Sequence, residues 1–319
     1  MAITNSGLDT SGFRLDHMIS LEINRLLADT SNLRNSPFLQ YAGSVNGLGT
    51  DTIRLRKYSM GGRDLFQAAG GAIPEIEDEA GSAIDPTVST ADIQVARQYL
   101  IRQISDLGTL AGYGQQDLNP FMLAADMVNS YEARFAELTA DTASGLSTNV
   151  VGSASDTMTV DLFFDAIQAL QEADSNRGVD ATDLCLVLHP KALGSLQDSL
   201  RSESNNAIAM MQATADMLEI KGRGYAGKLF GVDVYKSSFV NEAASAHENF
   251  MLSPRCIAYA DGVPSQLPSA VDFMTMGKVL VEMQRQGTQA LTQIIGHAYL
   301  GFGISDQNRG CLIKTDSTP

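Results

Sequence analysis

Cys185 and His189 come closest in this sequence to a pair of residues that could do chemistry together. Cys185 lies in the apolar run LCLVL, which predicts a short buried strand, and His189 directly follows that run. Their even spacing on a strand predicts that both side chains lie on one face, where they could serve as two zinc ligands. A structural zinc site requires four ligands, so we interpret them as a core cysteine and a histidine at a strand end.

The other histidines and the acidic residues do not form a recognisable site in the sequence. His17, His247 and His297 are scattered, and the sequence pairs none of them with an acid. The acidic run Glu75–Glu79 could attract Ca²⁺, but it lacks the alternating ligands and the turn glycine of a calcium-binding loop. We interpret this run as the solvated face of a loop.

Two further patterns have structural explanations. Met210, Met211 and Met217 fall at helical spacing, which predicts core filling. Gly301-Phe302-Gly303 has the spacing of half a dinucleotide fingerprint, but no helical pattern follows it.

The sequence contains no GxSxG elbow, P-loop, HExxH motif or GxGxxG after a strand. We therefore predict no catalytic, cofactor-binding or metal-binding residues and no cofactor.

The charge and composition restrict the partners that this chain can have. The 22 basic and 37 acidic residues give a formal net charge of −15. Binding to nucleic acid through a general basic field is therefore excluded, because phosphate contacts need clustered Lys and Arg. Only 18% of residues are charged, which fits either a surface covered by partner subunits or a plain charge-poor domain.

Cysteine usage and the terminus indicate where the chain folds. Cys185, Cys256 and Cys311 are few, odd in number and widely spaced, which predicts reduced thiols and folding in the cytosol. The sequence MAITNSGLDT lacks the basic and apolar regions of a signal peptide. No apolar stretch approaches the roughly 18 residues of a membrane span, so we expect no membrane association.

A long helix from Asn119 to Gly145 is the strongest structural pattern. Asn119 is a suitable N-cap, Pro120 suits the first helical position, and Gly145 is a plausible left-handed terminator. The apolar residues recur every three or four positions and form one stripe: Phe121, Ala124, Val128, Tyr131, Phe135 and Leu138. A stripe of this length needs a sheet to pack against.

The residues before this helix predict an extended arm and a hairpin. A polar lead spans 1–13, an amphipathic helix spans Arg14–Ala28, and a Ser/Asn/Gly-rich connector spans 31–50. Alternation predicts strands at Thr52–Tyr58 and Gln94–Ile104. An unstructured loop of such length between them is unusual in a compact domain, so we predict a protruding hairpin. The alternative is a disordered acidic insert.

The residues after this helix alternate helix and strand and then become strand-rich. Thr159 caps a predicted helix, Leu184–Leu188 predicts a strand, and Pro190 begins the next helix. The stretch Ser202–Ile220 predicts a Met-rich helix, and Val232 and Val234 alternate after a glycine turn. From Ala270 the pattern is strand-like, with glycines where we expect bulges or close backbone approach. The alternation of helix and strand predicts an α/β or α+β domain before Ala270, and we expect the α+β class for the chain.

Two segments of this second half resemble a known family. LCLVLHPKALGSL combines a strand, His-Pro and a helix, and GKLFGVDVYKSS follows after the Met-rich stretch. With the order of arm, hairpin, long helix and returning strands, they resemble the major capsid proteins of tailed bacteriophages, which have the Hong Kong 97-like fold. The resemblance in layout extends over nearly the whole chain.

The resemblance implies a function and a division of the chain. It implies an N-terminal arm at 1–49, an extended hairpin loop with flanking strands at 50–105, a peripheral domain with the spine helix at 106–155, an axial domain at 156–268, and returning peripheral strands at 269–319. It implies assembly in the host cytoplasm into pentamers and hexamers of an icosahedral shell, the virion capsid. A scaffolding protein, a portal and a decoration protein are the implied partners, and the DNA is enclosed without sequence-specific binding.

The sequence leaves two alternative functions open. An encapsulin-like cellular shell has the same fold and houses a protein cargo. An α/β enzyme is a different class, in which the 156–268 unit would hold a pocket containing Cys185 or His189. Some members of the family link subunits by a Lys–Asn bond, but no motif places a partner for Lys57, so no cross-link is predicted.

Overall fold

The computed structural model describes residues 38–46, 48–59, 87–106, 120–173, 183–202, 211–212, 224–262, 273–274 and 279–317. Several sequence predictions lie outside these residues. They are the polar lead, the helix Arg14–Ala28, the cap Asn119, most of the hairpin with Glu75–Glu79, and the side chains of His17, Met210 and Met217.

The described elements comprise strands throughout and a few helices. The strands are β1 (Leu39–Ser44), β2 (Thr52–Ser59), β3 (Thr87–Gln94), β4 (Ala96–Ser105), β5 (Val150–Gly152), β6 (Cys185–Leu188), β7 (Met211–Gln212), β8 (Tyr225–Leu229), β9 (Val232–Lys236), β10 (Glu242–Ala243), β11 (Ala246–Leu252), β12 (Ile257–Asp261), β13 (Phe273–Met274), β14 (Val279–Gln286), β15 (Leu291–Ile304) and β16 (Gly310–Asp316). The helices are α1 (Pro120–Ser144), α2 (Val160–Glu172) and α3 (Pro190–Ser202). The α+β class predicted from the sequence is confirmed.

The long strand β15 organises a sheet of six strands. It pairs antiparallel with β4, β12 and β14, and β12 pairs in parallel with β1. Strand β13 extends the sheet beyond β14. The sheet therefore joins strands that lie more than 200 residues apart in the sequence, which no local pattern could reveal.

Helix α1 packs on this sheet through the stripe that its sequence predicts. Tyr131 and Phe135 are buried, and the Phe135 ring meets the rings of Tyr259 and Phe302 edge-on at centroid distances of 5.3 Å and 4.9 Å. Such edge-to-face contacts add to the free energy gained by burying the apolar surface. The core beneath α1 thus combines residues from one helix and two strands.

The C-terminal end of α1 differs from the prediction. Gly145 does not adopt a left-handed conformation. Instead, the Gly145 and Leu146 amides donate to the carbonyls of Thr142 and Ala143, at 3.1 Å and 3.0 Å. These i→i−3 bonds satisfy the last carbonyls by tightening the final turn, so a glycine in the αL region is not needed.

A second sheet carries the other two helices. Its strand order is β5-β16-β11-β6-β9-β8-β7, with β10 paired to β11. Helices α2 and α3 pack on it through a separate core that includes Phe163, Leu170 and Leu196. The predicted cap of α2 is confirmed, because the Thr159 hydroxyl accepts from the Leu162 amide at 3.3 Å. The predicted start of α3 at Pro190 is also confirmed.

The predicted Met-rich helix is wrong at Met211–Gln212. These two residues form β7 and pair with Lys228 and Gly227 at the edge of β8. Pairing with the sheet overrides the local helical spacing, because an edge strand offers the backbone ready hydrogen-bond partners.

Strands β2 and β3 form a two-stranded antiparallel ladder that extends from Thr52 opposite Gln94 to Ser59 opposite Thr87. Among the described strands, they pair only with each other. The predicted strand at Thr52–Tyr58 is confirmed, whereas β3 was not predicted from its polar sequence TVSTADIQ. The ladder is the base of a hairpin whose remainder, 60–86, lies outside the described residues.

Candidate functional site

Cys185 and His189 lie in different surroundings. Cys185 is fully buried in the core beneath α1. His189 lies after the last residue of β6 and directly before α3. Leu193 and Leu196 of α3 belong to the core that lies under α2 and α3. The prediction that both side chains share one face is therefore wrong, because the chain turns into α3 at His189 and strand alternation no longer applies there.

The ring of His189 stacks on the ring of His247 from β11. The ring centroids are 3.7 Å apart and the planes differ by 21°. The in-plane nitrogen lone pairs of parallel stacked rings do not converge on one point, which disfavours binding of a single metal ion by both. Among the described residues, no group of three or more His, Cys, Asp or Glu side chains could hold a metal ion.

Asn249 links this histidine stack, His189 with His247, to the sheet. Its side-chain oxygen accepts from the His189 amide at 2.7 Å, and its nitrogen donates to the Thr315 hydroxyl at 2.8 Å. Asn249 and Thr315 are both buried. A satisfied buried polar network of this kind fixes the relative positions of α3, β11 and β16.

Burial is the main influence on the ionisation of both rings. It lowers the pKa of His189 and the pKa of His247, because an imidazolium is poorly solvated there. Lys191 lowers both pKa values further, and His247 does the same for His189. Glu242 opposes these effects by raising the pKa of each ring. The net result is a pair of neutral rings at neutral pH.

His297 has partners that the sequence did not reveal. Its Nε2 lies 3.1 Å from a carboxylate oxygen of Glu282, and both residues are buried. The Arg97 guanidinium donates to Nδ1 through Nε at 3.2 Å. An imidazole that accepts at Nδ1 carries its proton on Nε2, so His297 donates to Glu282. The contact crosses from β15 to β14, so only knowledge of the strand pairing could have revealed it.

A cavity of about 370 Å³ lies between α1 and the strands β4 and β15. Its lining includes Ser130 and His297, the residue types of a hydrolytic site. However, Glu282 and Arg97 already engage both ring nitrogens of His297, so the ring has no lone pair available to take a proton from Ser130. Cys185 does not line this cavity. His297 therefore does not serve as a general base for Ser130 in this arrangement.

The other two cysteines are buried thiols. Burial raises the pKa of Cys311 to about 12 and also raises the pKa of Cys256. A thiol of high pKa is a poor nucleophile, because the thiolate is the reactive form.

Within the described parts of the chain, no helix is both long and apolar enough to cross a membrane.

The base of the hairpin is held by close backbone contact. A Cβ on Gly301 would overlap the backbone oxygen of Gln94, and one on Gly303 would lie 3.0 Å from the Ile93 side chain. Ile93 is fully buried. The prediction that glycines in this stretch permit close backbone approach is confirmed at Gly301, whereas the close neighbour of Gly303 is a side chain.

The exposed side of the hairpin base carries a bidentate ion pair. Arg54 donates from Nε and a terminal nitrogen to the two carboxylate oxygens of Asp92, at 2.7 Å and 2.9 Å. This contact lowers the pKa of Asp92. It joins the two strands directly across the ladder, where Arg54 and Asp92 are paired residues.

Strand β4 presents an apolar surface beside the hairpin. Among the described strands it pairs with β15 alone. Tyr99 is 65% exposed and Ile101 is 40% exposed, and the Arg97 guanidinium lies 5.3 Å from the centre of the Tyr99 ring. Exposed aromatic and aliphatic side chains on a strand edge are typical of surfaces that contact other protein chains.

Comparisons with known proteins give matches in structure but not in sequence. No protein-family model matches the chain, and no curated protein matches its sequence. The fold is similar to a protein of Mycobacterium phage Che8, with 14% identity, coverage of 89% of this chain and 90% of that chain, and a TM-score of 0.56. The capsid of Ralstonia phage GP4 is similar at 14% identity, with coverage of 91% and 92% and a TM-score of 0.54.

A cellular shell protein is similar to the same degree. The encapsulin in the holo-SrpI complex from Synechococcus elongatus shares 11% identity, with coverage of 93% of this chain and 95% of that chain and a TM-score of 0.55. Matches at such low identity establish the fold alone. The chain therefore has the Hong Kong 97-like α+β fold over about nine-tenths of its length.

Proposed function

We propose that this chain is a major capsid protein, whose copies assemble into the icosahedral shell that encloses the double-stranded DNA of a tailed phage. The single observation that carries the proposal is the extent of the structural match. It covers 91% of this chain and 92% of the chain from the capsid of Ralstonia phage GP4. A match over about nine-tenths of both chains extends over the fold as a whole rather than over one shared sheet.

Two surfaces of the described structure are compatible with a subunit that is stabilised by contacts with neighbouring copies. Among the described strands, β2 and β3 pair only with each other, so each leaves one backbone edge unpaired there, although Ile93 packs in a core with Ala258 and Ala260. Tyr99 and Ile101 remain exposed on the nearby strand β4. Contacts between copies would cover these surfaces, and obligate assemblies commonly bury 2,000 Å² or more per interface.

The charge suits a container for DNA. A net charge of −15 leaves no general basic field to hold phosphates tightly, so the packaged DNA would be enclosed without sequence-specific binding. We infer that the chain is a structural protein without catalytic activity, located in the virion and assembled in the host cytoplasm. Its partners would be its own copies in pentamers and hexamers, a scaffolding protein, a portal and a decoration protein.

The proposed capsid function implies a division of the chain into structural segments. We assign an arm to 1–49, an extended hairpin loop to 50–105, a peripheral domain with α1 as spine helix to 106–155, an axial domain to 156–268 and returning strands to 269–319. The core under α2 and α3 combines residues of 156–268 with Cys311 and Ile313 of β16. The core under α1 includes Cys185 and Phe250 of the same segment, and β12 lies in the first sheet. The assigned axial and peripheral domains thus share core residues and strands.

A cellular compartment is the second candidate. The match to the encapsulin of Synechococcus elongatus covers 95% of that chain at a TM-score of 0.55, which lies between the scores of 0.56 and 0.54 of the two phage matches. The two functions differ in what the shell contains. Particles that enclose a specific protein and no nucleic acid would favour the compartment.

Expression of the full chain, alone and with a cognate scaffolding protein, followed by negative-stain microscopy tests the proposal. We expect closed, hollow particles of uniform diameter. Mass spectrometry and nuclease-protection assays on particles from infected or induced cells then identify the contents. A monodisperse monomer under all assembly conditions would overturn both shell functions.

A further inference from the structure

We propose that the histidine stack is a proton-sensitive switch, which holds the start of α3 against β11 at neutral pH and releases it in mild acid. The switch does not depend on assembly, because each residue that forms it belongs to one chain. Its first component is the position of His189 at the start of α3. The Leu193 amide donates to the His189 carbonyl at 3.0 Å, and the Lys191 amide donates to Nδ1 at 3.3 Å.

His189 thus caps α3 with its ring. A neutral ring that accepts at Nδ1 carries its proton on Nε2, so the next proton must bind to Nδ1 itself. Protonation therefore removes the capping acceptor. It also places a positive charge at the N-terminus of α3, where the helix dipole disfavours cations. Both effects weaken the start of the helix.

The second component is the ring of His247. It lies 3.7 Å from the ring of His189, is 7% exposed, and its Nδ1 has no hydrogen-bond partner in the described parts of the chain. Two neutral rings stack favourably at this distance, but two imidazolium rings repel each other with little water between them. A second protonation therefore opposes the stack directly.

The charged groups around the stack are few. Glu242 from β10 favours the charged form of both rings and Asp316 from β16 that of His247, whereas Lys191 from α3 opposes the charged form of both. Asp316 is already 3.4 Å from the Lys191 ammonium, and Glu242 accepts from the Ser317 hydroxyl at 2.6 Å. Both acids therefore have other partners, and together they offset only part of the cost of burying a charged ring.

The direction of the pH effect follows from the lowered pKa values of both histidines. When the pH falls below about 6.5, the ordinary pKa of histidine, the unfolded chain binds protons that the folded chain resists. The stability supplied by the stack is thus complete above about pH 6.5 and is lost as the pH falls. Each ring can lower the folding constant by at most about tenfold per pH unit.

Hydrogen exchange and urea unfolding of the full, unassembled chain between pH 7.5 and 5.5 test the switch. After correction for the intrinsic rate, the Lys191–Leu193 amides should exchange about tenfold faster at the lower pH, relative to amides in β12. His247→Phe keeps an aromatic ring that cannot be protonated, and His189→Asn keeps a capping oxygen. Each substitution should reduce the proton uptake on unfolding.

Two results would overturn the switch. One is exchange at Lys191–Leu193 in the wild-type chain that does not respond to pH. The other is a pH dependence of unfolding that persists in both His247→Phe and His189→Asn. If either variant fails to fold, the exchange measurement on the wild-type chain still decides, because it needs no substitution.

Discussion

Glycines in β15 allow two layers of backbone to approach closely. At Gly301 the chain that connects β3 to β4 passes so near that a Cβ would overlap the Gln94 carbonyl and lie 3.0 Å from the Val95 Cα. Backbone atoms cannot rotate away as the end of a flexible side chain can. Gly301 therefore determines how the base of the hairpin lies on the sheet.

Substitution of Gly301 by Ala should destabilise the chain by about 1–3 kcal/mol, the usual cost of overpacking. The midpoint of urea unfolding of the unassembled chain measures the loss. Gly296→Ala is the matched control on the same strand, because its Cβ would meet the Met127 sulfur at an ordinary 3.4 Å. Equal midpoints for the two variants would contradict the close approach at Gly301.

Residue types alone predicted some of these sites and missed others. The close approach at Gly301 follows from a glycine in a strand-like pattern. The contact of His297 with Glu282 could not be predicted, because it requires the pairing of β14 with β15. The assignment of Cys185 and His189 to one face was wrong, because it assumed that the strand continued through His189.

At the scale of elements, α1 is the principal packing unit of the first sheet. Its apolar stripe was evident from the three- and four-residue spacing, and the helix lies where that spacing predicts. Phe135 is only 1% exposed and contacts rings from both β12 and β15. The helix thus stabilises a sheet whose strands come from distant parts of the sequence.

Phe135→Ala should cost about 3–5 kcal/mol, since it removes a buried ring and leaves a cavity. Met122 lies on the same helix but is 62% exposed, so Met122→Ala should change the free energy of unfolding by less than about 0.5 kcal/mol. Chemical denaturation of the two variants provides the comparison. Similar losses in both would show that α1 does not pack on the sheet through its predicted stripe.

Helices whose starts are set by the local sequence were predicted better than strands that form by pairing with distant parts of the chain. The starts of α2 and α3 follow from Thr159 and Pro190. Strand β3 was missed because its sequence is largely polar, and β7 was mistaken for helix because methionines suit both. Strand β12 pairs with β1, and nothing in either sequence indicates the other.

At the scale of the whole molecule, the hairpin is the feature that most distinguishes a shell subunit from a self-contained enzyme. The paired strands β2 and β3 end at Ser59 and Thr87. Replacing 61–85 with a short Gly/Ser linker should leave the melting temperature of the subunit unchanged within about 2 °C, because the ladder and the core under α1 remain.

The same replacement should abolish closed particles, since in the proposed shell the hairpin contacts a neighbouring copy. Sedimentation velocity with electron microscopy measures this outcome. A linker variant that still forms particles of wild-type diameter would show that the hairpin is dispensable for assembly.

The most direct test of the account is a cryo-electron microscopy reconstruction of the full chain after assembly. We expect a closed icosahedral shell of pentamers and hexamers, in which the hairpin of each copy and the β4 surface around Tyr99 are buried against neighbouring copies. A chain that remains monomeric, with its hairpin packed against its own body, would contradict it.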